Sequence, residues 1–350
     1  MDSGVGMRGG ARPGWVRARV WPVLPLAAAA WWLGGALPWV LDGLGAQSPR
    51  DWPYDVATGS ATDGYISLLP FTTARLGLLV TITLIGGGIA ALAVLWAGRR
   101  DRRRLVVGVL AALGALSAAA YAIAQSAGAT RQLGSDFDRD DRVLLGMLAV
   151  AVAGTLLGIA LGLLVVLGGP VLRALAAAPL AVALGSWVSA VLVALIGVER
   201  AISALRWTPV VVGVAAGLAL VGLGLRPARR LLAWVAVLLL VAMGAAGQTA
   251  FSYLVAYLRP RSGLPDSLRD HVEASRDVFL AAIGPDRQAW GVYVVAVVVG
   301  LLGSVLRVRR PATRPTRPKR PMRGAAVPPS PATRHTTAPA QDRHADVTAS

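Results

Sequence analysis

The chain has 350 residues, of which 55% are hydrophobic and 15% are charged, and its formal net charge is +17. Soluble domains carry about 25% charged residues, so this composition favours an integral membrane protein. The chain has no cysteine, which excludes disulfides, thiol catalysis and cysteine metal sites. Nucleic-acid binding is also disfavoured, because the arrangement of the basic residues around membrane spans accounts for the positive charge.

Eight apolar runs are long enough to cross a bilayer as helices, which takes about 20 residues. Every charged residue can be placed outside these runs. The sequence therefore predicts an all-α, polytopic membrane bundle with eight spans. The predicted spans are residues 20–41, 76–97, 105–125, 143–167, 175–197, 208–225, 231–250 and 290–306.

The gaps between the predicted spans form two alternating sets with different charge. One set, which includes both chain ends, holds 23 of the 35 basic residues and 4 of the 18 acidic ones, so the other holds 12 and 14. Short cytoplasmic loops are enriched in Lys and Arg. We therefore expect both termini on the cytoplasmic side of a cell membrane. The single lysine among the 35 basic residues favours a bacterial origin.

Three segments flank or cover the predicted bundle. Residues 1–19 are a basic segment, and the apolar run after them is too long and tryptophan-rich for a typical signal peptide. We therefore expect a retained anchor, with cleavage as a signal peptide as the alternative. Residues 307–350 are basic and proline-rich, which predicts a disordered cytoplasmic tail that binds anionic lipid. Residues 266–283 predict an amphipathic helix on the outer side. His271, in its first turn, is expected at the surface.

Uncharged polar residues recur in the outer halves of three predicted spans. On the third span they repeat at every fourth residue and so share a helical face. Together they are predicted to line a crevice open to the outside, although hydrogen bonds between helices would explain them without a ligand. The candidate crevice residues are Thr81, Thr83, Ser117, Tyr121, Gln125, Gln248, Thr249, Ser252 and Tyr253.

Three glycines at four-residue steps form a ridge on the fourth span, namely Gly154, Gly158 and Gly162. Such ridges let helix backbones approach closely in lipid. We expect them to pack within the bundle, with a sliding or dimerising interface as the alternative.

Acidic residues in the outer loops are the remaining candidates for chemistry. Asp51 and Asp55 follow the first span, where a carboxylate could act as a general base in a transferase. Asp136 and Asp138 begin a D-x-D-x-D pattern, but the glycine and glutamate that a calcium loop needs are missing, so a self-paired turn is expected. We predict no catalytic residue, metal or cofactor, since Walker, G-x-G-x-x-G and H-E-x-x-H motifs are also absent.

Three functional hypotheses remain open. No Asp, Glu, Lys, Arg or His lies inside a predicted span, which argues against an ion-coupled transporter. A permease-like or lipid-handling protein that uses the crevice is one hypothesis. A non-catalytic subunit or scaffold of a homo- or hetero-oligomer is the second, and a membrane-embedded transferase with an outer-face site is the third.

Overall fold

A computed structural model of the chain describes residues 21–43, 66–72, 75–98, 104–132, 142–254 and 267–309. This described part is 88% helical and has no β-strand, which confirms the all-helical prediction. Four of the predicted candidates, Asp51, Asp55, Asp136 and Asp138, lie outside the described residues, as do residues 1–20 and the tail from 310.

Eleven α-helices follow one another along the described residues. They are α1 (Val23–Ala29), α2 (Leu37–Leu41), α3 (Leu76–Gly98), α4 (Arg104–Gln132), α5 (Arg142–Leu167), α6 (Pro170–Ile196), α7 (Val198–Leu205), α8 (Thr208–Leu223), α9 (Arg229–Leu254), α10 (Leu268–Ala282) and α11 (Trp290–Arg309).

Among the described residues, five helices are long and apolar enough to cross a membrane, namely α4, α5, α6, α9 and α11. A sixth span results if α7 and α8, which meet at a 48° bend, are counted together. The two remaining predicted spans correspond to shorter apolar stretches, Val23–Gly34 and Leu76–Leu92. The structure thus supports five or six spans, and the count of eight stays a prediction.

The first predicted span is an interrupted helix. After α1 the chain passes through a π-helical turn, Ala30–Gly34, and α2 starts beyond a break with Pro38 near its beginning. Proline lacks a backbone N–H and favours such an interruption. At this point the carbonyl of Gly35 accepts a hydrogen bond of 3.1 Å from Nε1 of Trp187 on α6. A neighbouring helix therefore satisfies a carbonyl at the break, as lipid cannot.

The buried residues form two clusters that divide the bundle. The first half, within residues 21–167, combines α1 to α5 with the segment 66–72 around one core. The second half, within residues 170–309, builds another core from α6, α8, α9 and α11. Helix α6 contacts α3 and α5 and so joins the two halves.

The predicted glycine ridge lies on the side of α5 that faces α3. A Cβ atom added at Gly158 would lie 2.7 Å from the carbonyl oxygen of Thr83, and one at Gly162 would lie 2.7 Å from that of Gly87. A Cβ at Gly154 would meet the hydroxyl of Thr83 even more closely. Side chains at these positions would force the helices apart, so the three glycines serve contact within one chain.

Helix α10 occupies most of the segment predicted as an outer amphipathic helix, and it packs against α9. The expectation that His271 lies at the surface is wrong, because its side chain is 3% exposed. Its ring lies 6.5 Å from the ring of Tyr253 on α9. The helix thus buries its histidine face against the bundle, a tertiary contact that its position near the helix start does not reveal.

Candidate functional site

Gln125 on α4 holds the segment 66–72, which is predicted to lie on the outer side. Its Oε1 accepts a hydrogen bond of 3.0 Å from the N–H of Leu68, and its Nε2 donates one of 2.7 Å to the carbonyl of Ile66. The neighbouring Ser126 accepts from the N–H of Leu69 at 2.9 Å. The side-chain amide of Gln125 thus both accepts from and donates to the backbone of this segment, as a neighbouring β-strand would. Gln125 therefore anchors a loop and does not face the cavities described next.

The anchored segment covers the end of the first core. The carbonyl of Ser67 accepts a 2.8 Å hydrogen bond from Nε1 of Trp39. Leu69 and Phe71 are 0% and 1% exposed. Neither Trp39 nor Ser126 stands out in the sequence, because their partners are backbone groups far away along the chain.

Four other predicted crevice residues also lie apart from the cavities. Thr83 is buried and donates to the carbonyl of Leu79 on its own helix. Ser117 likewise bonds within α4. Tyr121 is 70% exposed on the outside of the bundle, and Tyr253 contacts α10. Helix-internal hydrogen bonds and lipid-facing exposure thus account for residues whose spacing predicted a lining.

One cavity of about 470 Å³, here named the α8 cavity, lies between α6, α8, α9 and α11. Gln248 and Thr249 line it, together with Ser189 and Thr208, whose hydroxyl oxygens are 3.1 Å apart. Tyr293 on α11 lines it too and donates a hydrogen bond to Gln288.

A second cavity of about 460 Å³, here named the α3 cavity, lies between α3, α6 and α9. Three predicted residues, Thr81, Gln248 and Ser252, line it. Pro179 contributes to its wall from within α6. The structure therefore places four of the nine predicted crevice residues in two cavities.

The two cavities share three lining residues, Val182, Ser186 and Gln248. Nε2 of Gln248 donates a 2.8 Å hydrogen bond to Oγ of Ser186, and both residues line both cavities. Oε1 of Gln248 has no hydrogen-bond partner within the described part of the chain. Sequence reasoning missed Ser186 as a site residue, although Ser186 and Ser189 share a helical face on a predicted span.

Both cavities present uncharged hydrogen-bonding side chains within a mostly apolar lining. Among the lining residues that the structure describes, the one charged side chain is that of Arg287, in the turn before α11. The described residues contain no group of three or more side chains suited to holding a metal ion. The arrangement can orient a ligand by amide and hydroxyl groups, and the described lining residues include no Asp, Glu, His or Lys.

Comparison with protein-family models, curated proteins and solved structures finds no match to this chain.

Proposed function

We propose that this is a multi-pass cell-membrane protein of bacterial type that binds an uncharged amphipathic molecule of the lipid class around Gln248, as a lipid-handling or permease-like protein. The Gln248–Ser186 pair at the junction of two cavities is the observation that carries this proposal.

The size and lining of the cavities support a ligand with a large apolar part. Ligand sites typically have volumes of about 300–1,000 Å³ and are mostly apolar with a few placed polar groups. Both cavities lie in this range. The free Oε1 of Gln248 can accept a hydrogen bond from a hydroxyl of the ligand, and Thr208 and Ser189 add further hydroxyls.

The position of Gln248 along α9 supports access from the bilayer. It lies six residues before the last residue of α9, Leu254, which corresponds to about 9 Å at 1.5 Å per residue. A polar group at that depth is within reach of a lipid whose headgroup lies at the interface.

The other two hypotheses have less support. The glycine ridge of Gly154, Gly158 and Gly162, which a scaffold could use for association, packs against α3 within the chain. Asp51 and Asp55, which the transferase hypothesis needs, lie outside the described residues.

A protection experiment tests the proposed ligand class. The chain has no native cysteine, so Ala245→Cys gives a single thiol in the α8 cavity. We expect dioctanoylglycerol to slow its reaction with methyl methanethiosulfonate at least about threefold, as occupancy excludes the reagent. Leu232→Cys, at a position that is 75% exposed and outside both cavities, is the matched control and should react at an unchanged rate.

Adding Gln248→Leu to the Ala245→Cys variant should abolish the protection. Equal rates with and without dioctanoylglycerol would contradict the proposal. If glucose protected the thiol and dioctanoylglycerol did not, the ligand would be a polar solute and not an amphipathic molecule.

The proposed orientation places both termini in the cytoplasm and the end of α9 on the outer side. Single cysteines in place of Asp270 and Ala345 should then report opposite sides in intact cells. A membrane-impermeant maleimide should label the first and not the second. Labelling of both, or of the second alone, would refute this topology.

A further inference from the structure

Three arginines line a cavity at the end of the second half that is opposite to Gln248. The cavity has a volume of about 580 Å³ and lies where α8 and α11 end and α6 and α9 begin. Arg226, Arg230 and Arg307 all line it. Within the described part of the chain, none of them has a carboxylate within 4.0 Å.

Part of this positive charge stabilises the C-terminus of α8. Nη1 of Arg230 donates to the carbonyl of Leu223 at 2.8 Å, and Nη1 of Arg307 is 3.4 Å from the carbonyl of Gly222. Cations at a helix C-terminus compensate the unpaired carbonyls. A guanidinium has five N–H donors, so these contacts leave most of the donors available. Arg226 makes no hydrogen bond among the described residues, and helix capping does not explain its place.

Ser304 on α11 provides an independent indication of a ligand. It lines the same cavity and is 4% exposed, yet its Oγ has no hydrogen-bond partner. A serine in a helix commonly bonds to a carbonyl of the preceding turn, and a buried hydroxyl without a partner is costly. Rotation about χ1 would turn this enclosed hydroxyl toward the cavity, where a phosphate oxygen would accept a hydrogen bond from it.

We propose that this cavity binds a phosphate group, held by the guanidinium groups of Arg226, Arg230 and Arg307 and by the hydroxyl of Ser304. Arginine donors in a fork match phosphate oxygens, and basic pockets between the ends of membrane helices suit anionic headgroups. Val305, which also lines the cavity, is 44% exposed and offers an apolar surface for acyl chains. The expected source is therefore an anionic phospholipid, with free phosphate as the alternative source of the same chemistry.

The test measures binding to the full chain in an uncharged maltoside detergent by native mass spectrometry. The three probes are dioleoylphosphatidylglycerol, dioleoylphosphatidylcholine and inorganic phosphate. We expect phosphatidylglycerol to bind and phosphatidylcholine to bind at least about tenfold more weakly, because its choline group neutralises the phosphate. Binding of inorganic phosphate with no preference for phosphatidylglycerol would identify free phosphate as the ligand.

The variants separate this cavity from the rest of the basic surface. Arg226→Gln with Ser304→Ala should weaken phosphatidylglycerol binding about tenfold, since the two groups lose charge-assisted hydrogen bonds. Arg226→Lys keeps the charge and should restore part of the affinity. Arg229→Gln is the matched control, because Arg229 is exposed beside the cavity and does not line it.

Binding that is unchanged in the double variant, or lowered equally by Arg229→Gln, would overturn the proposal. The basic tail is present in every variant, so its contribution cancels in these comparisons. Arg226 and Ser304 make no hydrogen bond through their side chains in the described structure, so their loss should leave the fold intact. Arg230→Gln is a less clean test because it also removes a contact to α8.

Discussion

The two halves of the molecule use similar apolar, glycine-rich helices in different ways. In the first half, α3 and α5 approach through glycines until backbone meets backbone, and a loop closes the end of the core. In the second half, α8 and α11 pack as closely through Gly213 and Gly217, and the α8 cavity lies between this pair, α6 and α9. The comparison shows that close helix packing is local to particular helix pairs and that a cavity can remain beside such a pair.

The two glutamines of the predicted crevice also differ between the halves, in how their side-chain amides are hydrogen-bonded. Gln125 uses both atoms of its amide on the backbone of residues 66 and 68. Gln248 uses its nitrogen on Ser186 and leaves its oxygen available. One amide is a structural element of the first half, and the other is available to a ligand in the second.

The largest expected effect comes from Gly158→Ala in the α3–α5 contact. The new Cβ would lie 2.7 Å from backbone carbonyl oxygens of α3, so α5 must move. We expect a loss of about 3 kcal/mol of unfolding free energy, measured by SDS titration in detergent micelles. Gly128→Ala on α4, where an added Cβ meets no atom within 4 Å, is the control and should not destabilise. Equal stability of both variants would show that the first half tolerates looser packing.

Gln125→Leu should have the next largest effect. It leaves the N–H of Leu68 and the carbonyl of Ile66 without their side-chain partner, at a cost of about 2 kcal/mol in the same titration. Tyr121→Leu, one turn earlier on α4 and at an exposed position, should change stability much less. If Gln125→Leu in the Ala245→Cys background abolished protection by dioctanoylglycerol and left stability unchanged, Gln125 would belong to the ligand site.

Trp187→Phe tests the connection between the halves. It removes the hydrogen bond from α6 to the carbonyl of Gly35 at the break in the first predicted span. The expected cost is about 1 kcal/mol, since one hydrogen bond is lost and the ring is largely kept. Trp21→Phe, at a position that is 72% exposed, provides the comparison. If the two variants unfold alike, the α6 contact does not stabilise the interrupted helix.

Gln248→Leu should have the smallest effect on stability. A single hydrogen bond between membrane helices contributes about 0.6 kcal/mol, so the variant should unfold almost as the parent chain does. In the Ala245→Cys background, Gln248→Leu should nevertheless abolish protection of the thiol by dioctanoylglycerol. A destabilisation as large as that of Gln125→Leu would indicate that both glutamines serve packing and would remove the functional difference between the halves.

Sequence reasoning could place the helices but not the use of their polar residues. Apolar runs of sufficient length predict helices because backbone hydrogen bonds must be satisfied within a segment in lipid. Spacing of four residues put Ser117, Tyr121 and Gln125 on one face. It could not tell that Ser117 bonds within its own helix and that Gln125 reaches a loop 57 and 59 positions earlier. Such partners depend on which helices become neighbours.

The sequence by itself determined the all-helical class, the main apolar helices and the sorting of charge between them, because all three follow from local composition and from the cost of polar groups in lipid. Tertiary structure decided the break in the first predicted span, the division into two cores, the burial of His271 and the meeting of Gln248 with Ser186. It also brought Arg226, Arg307 and Ser304 to one cavity. These features join residues far apart along the chain, so only the packing of helices against one another can create them.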